Sequence, residues 1–198
     1  MWGDPVAWLV LAYMGFQAMW FYMLITWLAP LSLTLGRSEV VGGIAVMLLQ
    51  ICSLIGSLIV PLMLRGRRLA RWTPAIIPMV GIIGVTGLIT VPDFFFSGWV
   101  IVCGLASGAS LSMTFSLFGL RARTSAAASR LSGMAQSGGY AIAAVGPVVF
   151  GWLLSVTGGW LAPLLLVVLV LAAQVGVGLF VGRDRHVESK VFPIDSPY

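Results

Sequence analysis

Charged residues are scarce in this chain. Of its 198 residues, 9% are Asp, Glu, Lys or Arg, whereas 60% are hydrophobic, and the mean hydropathy is +1.05. A soluble domain carries about a quarter charged residues, so this composition excludes an ordinary water-soluble domain and indicates an integral membrane protein. The net charge is +5, but the basic residues lie in short segments between apolar runs. This arrangement favours the lipid bilayer over nucleic acid as a partner.

Histidine and cysteine are also scarce, which excludes several classes of intramembrane enzyme. The chain has one histidine, His186, and two cysteines, Cys52 and Cys103, which both lie inside apolar runs. A metalloprotease would need paired histidines within a span, and a serine protease would need a base beside its nucleophile. A phosphate-binding GxxxxGK[ST] loop is missing as well. We therefore predict no enzymatic activity, no metal site, no disulfide framework and no cofactor.

Six apolar runs dominate what the sequence does contain, and each is close to the roughly 20 residues that a membrane-spanning helix needs. They are too long and too uniformly apolar to be barrel strands, so we predict an all-α membrane domain over residues 1–182 and a cytoplasmic tail at 183–198. Ser38 and Thr124 are predicted N-caps, the latter with Ser125 as an alternative, and Ala29-Pro30 is predicted to end the first helix. The predicted spans are about 6–28, 40–64, 74–91, 99–120, 131–154 and 161–181.

The positions of the basic residues predict an orientation. Ten of the eleven Lys and Arg residues lie after the second run, after the fourth run or in the tail, and Arg37 alone lies on the other side. We expect the protein in the inner or plasma membrane. By the positive-inside rule, both of its termini are expected in the cytoplasm. An even number of spans also requires that the two ends share a side.

Polar side chains within the runs are the candidates for binding a solute. A buried amide without a partner costs a few kcal/mol, so each glutamine either bonds another helix or lines a wet cavity, and both interpretations stay open. Serine and threonine can instead bond back to their own helix. The predicted solute-lining residues are Gln17, Tyr22, Gln50, Ser110, Thr114, Gln136 and Tyr140. Small residues and a proline are typical of helix packing or bending, and those singled out are Gly104, Gly108, Gly139, Gly146 and Pro147.

Two long segments carry a resemblance to a known family. GLRARTSAAASRLSGMAQSGGYAIAAVGPVVFGWLLSVTGGWLAPLLLV, which starts at Gly119, resembles the end of the cyanate and nitroimidazole permease branch of the major facilitator superfamily. The opening DPVAW…MGFQAMWFYMLITWLAP is similar to the seventh helix of the same proteins. RGRR, formed by Arg65, Gly66, Arg67 and Arg68, is similar to the degenerate loop motif between their helices eight and nine.

This resemblance implies half of a larger architecture. Members of the superfamily have twelve helices in two six-helix halves, each built of two inverted three-helix repeats, with the substrate between the halves. The chain matches the C-terminal half, so helices one, two, four and five are expected to line a cavity, and helices three and six to face lipid. The first helix follows Asp4-Pro5 with no basic leader, which is typical of a fragment, a split gene or a half-unit. The implied partner is a missing N-terminal half or a second copy.

Two functions follow as hypotheses. The first is a secondary-transporter permease for a small polar or anionic solute, cyanate-like or nitroimidazole-like. The alternative is a non-transporting remnant or scaffold of six helices, whose polar helix faces would not bind a solute. No Asp, Glu, Lys, Arg or His lies in the middle of any run, so a proton relay or the positive partner of an anion would have to come from outside this segment.

Overall fold

The protein is an all-α bundle of six long helices. The computed structural model describes residues 2–183 and 187, without the side chains of residues 67 and 68. All six helices are long and apolar enough to cross a membrane, and this part of the chain contains no strand, so the predicted fold class is confirmed. Apart from residues 183 and 187, the predicted tail at 183–198 lies outside the described residues. The helices are α1 (Pro5–Thr34), α2 (Glu39–Met63), α3 (Arg67–Thr90), α4 (Pro92–Leu120), α5 (Ser125–Thr157) and α6 (Leu161–Val181).

Side-chain caps begin three of the helices. The Asp4 carboxylate accepts a hydrogen bond from the Val6 amide at 2.8 Å, and the Ser38 hydroxyl accepts one from the Val41 amide at 3.4 Å. The Thr124 hydroxyl accepts one from the Ala127 amide at 3.1 Å. Each cap satisfies an amide that has no partner within the helix. The predicted caps at Ser38 and Thr124 are therefore confirmed.

Several helix ends differ from the apolar runs that predicted them. Helix α1 does not end at Ala29-Pro30 but continues to Thr34, α3 begins at Arg67 and α4 begins at Pro92. Hydropathy marks only the stretch that crosses the hydrocarbon core, about 30 Å thick, whereas the 33 residues of α5 extend over about 50 Å. The longer helices, such as α5, are therefore longer than the core is thick.

Helix α4 has one irregular residue near its start. Phe95 has φ −149° and ψ 41°, which interrupts the regular helix after its first turn. The Phe95 ring folds back over Gly98, where no side chain could fit, and meets Trp99 edge-on with ring centroids 5.8 Å apart. This irregular first turn lies before Trp99, where the predicted fourth span begins.

The packing of the helices repeats between the two halves of the chain. Helix α1 packs along α5 and also contacts α6, while α4 packs along α2 and also contacts α3. Exchanging α1–α3 with α4–α6 therefore maps the main contacts onto each other, and α3 packs on α6 between them. Because each triplet contains an odd number of spans, the two triplets cross the membrane in opposite directions. This arrangement is that of two inverted three-helix repeats.

A chain of buried hydrogen bonds joins three helices at the centre of the bundle. The Gln174 side chain of α6 accepts a bond from the Trp20 indole N–H of α1 at 3.0 Å. Its amide nitrogen donates to the Ser110 hydroxyl of α4 at 2.6 Å. Gln174 and Ser110 are fully buried. The Tyr13 hydroxyl lies against Ser110 and Gln174, although it makes no hydrogen bond of standard geometry to the described residues.

A Gly108→Ala substitution tests the close approach of α2 and α4. A Cβ atom at Gly108 would run into the backbone carbonyl of Ser53, which cannot move without shifting α2. We expect a loss of about 1–3 kcal/mol in unfolding free energy, measured by denaturation in detergent micelles. Gly119→Ala is the matched control, because it lies on the same helix with no atom within 4 Å of the added Cβ. Equal stability of the two variants would contradict the close approach of α2 and α4 at Gly108.

A Gln174→Leu substitution tests the central hydrogen bonds. Leucine retains much of the volume but leaves the Trp20 indole N–H without its acceptor. We expect a loss of about 0.6–2 kcal/mol, the range measured for hydrogen bonds between membrane helices. Gln50→Leu, on the exposed face of α2, serves as the control and should leave stability unchanged. If both variants unfolded alike, the Gln174 bonds would not be stabilising the bundle.

Candidate functional site

A cleft opens between α1 and α5. Its volume is about 430 Å³, within the range of small-molecule sites. None of the residues lining it is charged. Tyr22 and Tyr140 are 40% and 42% exposed there, and both are predicted solute-lining residues. The cleft is lined by Tyr22, Thr26, Tyr140, Ala143, Ala144 and Pro147.

Small residues of α5 hold the two helices close together beside this cleft. A Cβ atom at Gly139 would lie 2.7 Å from the Met14 side chain, and one at Gly146 would lie 2.6 Å from the Met19 side chain. The contacts advance along both helices in the same direction, so α1 and α5 run parallel. The seam brings Tyr22 and Tyr140, which are 118 positions apart in the sequence, to one opening.

Two prolines place backbone acceptors at the cleft. Pro30 lies inside α1 and Pro147 inside α5. Proline has no amide hydrogen, so the carbonyl four residues earlier loses its usual helical donor. Those carbonyls belong to Thr26 and Ala143, and both residues line the cleft. Two residues that line the uncharged cleft therefore have carbonyl oxygens without their usual α-helical partner.

Trp27 fixes the upper part of α5 against α1. Its indole N–H donates to the Pro147 carbonyl at 3.2 Å, and its ring stacks on Phe150 with centroids 5.6 Å apart. Trp160 meets the Trp27 ring edge-on at 6.5 Å. The segment of α5 beyond Pro147 is thus attached to α1 by an aromatic cluster.

Two further predicted lining residues lie outside the cleft. The Gln136 amide donates to the Ser132 hydroxyl one turn earlier on α5, at 2.7 Å. Gln50 is exposed on α2 and is not among the residues that line the cleft. Gln136 precedes Tyr140 by one turn on the same face, so it lies below the cleft rather than in it.

The other three predicted lining residues are buried among the helices. Ser110 accepts the bond from Gln174, and the Thr114 hydroxyl donates back to the Ser110 carbonyl at 2.9 Å. Gln17 is 3% exposed, and its carbonyl oxygen has no hydrogen-bond partner among the described residues. It shares one face of α1 with Tyr13 and Trp20. The structure therefore places these residues in the central polar cluster and not at the cleft.

The remaining candidates serve packing or lie in a loop. On α4, a Cβ atom at Gly104 would meet the Leu49 carbonyl and Cys52, and Gly108 approaches the Ser53 carbonyl. Arg65 is exposed in the loop before α3, and Gly66 is the N-cap position of that helix. Residues 67 and 68 form the start of α3, and their side chains lie outside the described part.

Sequence reasoning missed three residues that the structure brings to these sites. Thr26 lies one turn after Tyr22 on the same face of α1, and this i, i+4 spacing was a usable signal. Gln174 was a lone glutamine in an apolar helix, and only the neighbouring helices reveal its partners. Tyr13, fully buried beside them, gave no sequence signal at all.

Comparison with known proteins identifies transporters. No family model matches the chain. It is 33% identical over 187 residues, or 94% of its length, to the uncharacterized transporter YycB of Bacillus subtilis. It is 33% identical over 186 residues to the 2-nitroimidazole transporter of Escherichia coli. It covers 46% and 47% of these two proteins. The chain thus spans about half the length of these curated relatives.

A third relative is covered more completely. A protein of Thauera aromatica, provisionally named an anionic 4-hydroxy-benzoate permease, is 31% identical over 129 residues. The match covers 65% of this chain and 76% of that protein. Together with the six apolar helices and their inverted repeat, these matches show that the chain is a multi-pass membrane protein of the major facilitator family of transporters to which these relatives belong.

Proposed function

We propose that this chain forms one half-unit of a secondary permease that moves a small polar or anionic solute, cyanate-like or nitroimidazole-like. The observation that carries the proposal is the cleft between α1 and α5, where Tyr22 and Tyr140 present hydroxyl groups on an otherwise apolar surface. A tyrosine hydroxyl facing lipid would lose its hydrogen bonds to water. In a cleft that contains water and solute, a tyrosine hydroxyl keeps these hydrogen bonds.

The chemistry of the cleft suits a small, uncharged or weakly charged solute. The hydroxyls of Tyr22, Thr26 and Tyr140 can donate or accept hydrogen bonds. The carbonyls of Thr26 and Ala143 can accept, because Pro30 and Pro147 deprive them of helical donors. A planar solute with both donors and acceptors would be held between these groups. Movement of such a solute needs no covalent step.

We further propose that a partner covers the exposed side of α2 and α5. These two helices are the least buried of the six spans, and their open faces include the Gln50 amide and the Tyr140 hydroxyl. Facing these groups to lipid is costly. The partner in this proposal is an N-terminal six-helix half, or a second copy of the chain, and alternating access arises as the two halves rock around the cleft.

Phenylalanine substitutions in the cleft test the solute site. We expect cells producing the chain to take up radiolabelled cyanate or 2-nitroimidazole above the level of cells with an empty vector. Tyr22→Phe and Tyr140→Phe remove one hydroxyl each, and each should lower uptake about 2- to 10-fold, the worth of one hydrogen bond.

Thr90→Val is the matched control for that experiment. Its hydroxyl is exposed on α3 and bonds the Thr86 carbonyl of its own helix, so uptake should not change. If neither tyrosine substitution changed uptake, the cleft would be excluded as the solute site. If correctly inserted protein gave no uptake of either solute, transport with a second copy as the partner would be refuted, and the N-terminal half as partner or the non-transporting six-helix scaffold would remain.

The orientation of the chain is a further part of the proposal, with both termini in the cytoplasm and the protein in the inner or plasma membrane. It rests on the excess of arginine at one end of the bundle. Alkaline phosphatase fused after Arg37 should be active, because that loop lies outside, and the same enzyme fused after Arg123 should be inactive. The reverse pattern of activities would overturn the orientation.

A further inference from the structure

The seam between α3 and α6 ends in two arginines at one face of the bundle. Gly182 lies against the backbone carbonyl of Arg71, and Gly178 lies against that of Pro74, with no room for a Cβ atom at either glycine. This approach fixes the first turns of α3 beside the last turn of α6. Arg71 and Arg183 are both exposed there, so two arginines start from neighbouring backbone segments at one end of this seam. We call the exposed strip between α3 and α6 that begins at these arginines the α3–α6 groove.

Each of these arginines lies over an exposed aromatic ring. The Arg71 guanidinium is 5.4 Å from the centroid of the Trp72 ring, and the Arg183 guanidinium is 5.1 Å from that of the Phe180 ring. Trp72 and Phe180 are 50% and 53% exposed. Aromatic rings of this kind occupy the headgroup level of a bilayer. The charges are therefore held at the height where lipid phosphates lie.

The described carboxylates do not neutralise this pair of charges. Glu39 and Asp93 begin α2 and α4, at the opposite face, where Asp93 lies 3.8 Å from Arg37. Asp4 caps α1, which makes no contact with α3. Neither Arg71 nor Arg183 forms an ion pair with these three residues. An anion from outside the protein is the natural partner for two arginines on neighbouring helix ends.

The surroundings favour a lipid over a free anion. Further from this face than the arginines, the exposed side chains of α3 and α6 are apolar and include Leu179, Met79 and Ile83. A free phosphate would make no use of these side chains, whereas acyl chains would cover them. Apart from each other, α3 packs mainly on α4 and α6 mainly on α1, with only minor contact to α2 and α5, the helices on the side proposed for the partner half, so lipid has access to the groove in either case.

We propose that the α3–α6 groove binds an anionic phospholipid, with Arg71 and Arg183 on its phosphate and with Trp72 and Phe180 beside its glycerol and upper acyl chains. Basic pockets between membrane helices recognise anionic headgroups in this way, and each arginine contributes about a fivefold gain in affinity. The site is separate from the solute cleft and does not depend on transport by the chain.

Lipid-dependent stability and native mass spectrometry of the purified full chain test the site. Phosphatidylglycerol added to phosphatidylcholine micelles should raise the unfolding temperature and give a bound-lipid peak. Arg71→Gln and Arg183→Gln should each weaken phosphatidylglycerol binding about fivefold, and the two together should abolish the lipid-dependent rise. Each single variant gives a complete test if the double variant fails to fold.

Arg123→Gln is the matched control, because it removes the same charge from the same face in the α4–α5 loop. It should leave phosphatidylglycerol binding unchanged. An equal loss with Arg123→Gln would mean diffuse attraction of lipid to a basic face, which overturns the site. Equal stabilisation by inorganic phosphate alone would identify a free-anion site instead. Absence of any phosphatidylglycerol effect on the unmodified chain would also refute the proposal.

Discussion

The hydrogen bonds of Gln174 are the contact on which the rest of the bundle depends. In a bilayer, apolar surfaces gain little by leaving lipid, so helices associate through close packing and through polar groups that have no other partner. Gln174 joins α6 to Trp20 of α1 and Ser110 of α4. The remaining helices each pack on one of these three: α2 on α4, α3 on α4 and α6, and α5 on α1. One buried amide therefore links the two three-helix repeats by hydrogen bonds at the centre of the bundle.

Two kinds of seam then divide the surface of the bundle. The parallel pairs α1–α5 and α2–α4 meet through glycines that face backbone or methionine, and this leaves α2 and α5 with most of their outer faces exposed. The α3–α6 pair closes the other side. The uncharged cleft opens beside α5, and the paired arginines end the α3–α6 groove. The proposed solute site and the proposed lipid site thus lie on different helix pairs.

Hydropathy predicted the six helices because crossing the bilayer demands about 20 apolar residues wherever a helix spans. It could not predict the helix ends, since turns such as Arg67–Thr73 continue the helix in the headgroup region, where polar residues are allowed. The glutamines and serines were correctly singled out as polar residues within spans, but their roles depend on neighbours. Ser110 bonds Gln174 and Gln136 bonds Ser132, whereas Tyr22 and Tyr140 meet at an opening. Only the parallel packing of α1 and α5 shows which of these residues line the cleft and which form hydrogen bonds elsewhere in the bundle.

The absence of charge around the cleft constrains how the proposed permease would handle an anion. A carboxylate or cyanate ion held by hydroxyls and carbonyls alone would lose most of its hydration energy, and the carbonyl oxygens at Thr26 and Ala143 would repel it. A weak acid in its neutral form would instead donate a hydrogen bond to those same carbonyls. Transport of the ion consequently requires a positive group from the partner half, while transport of the neutral form requires none. The two prolines thus favour a solute that enters this half of the site as a hydrogen-bond donor.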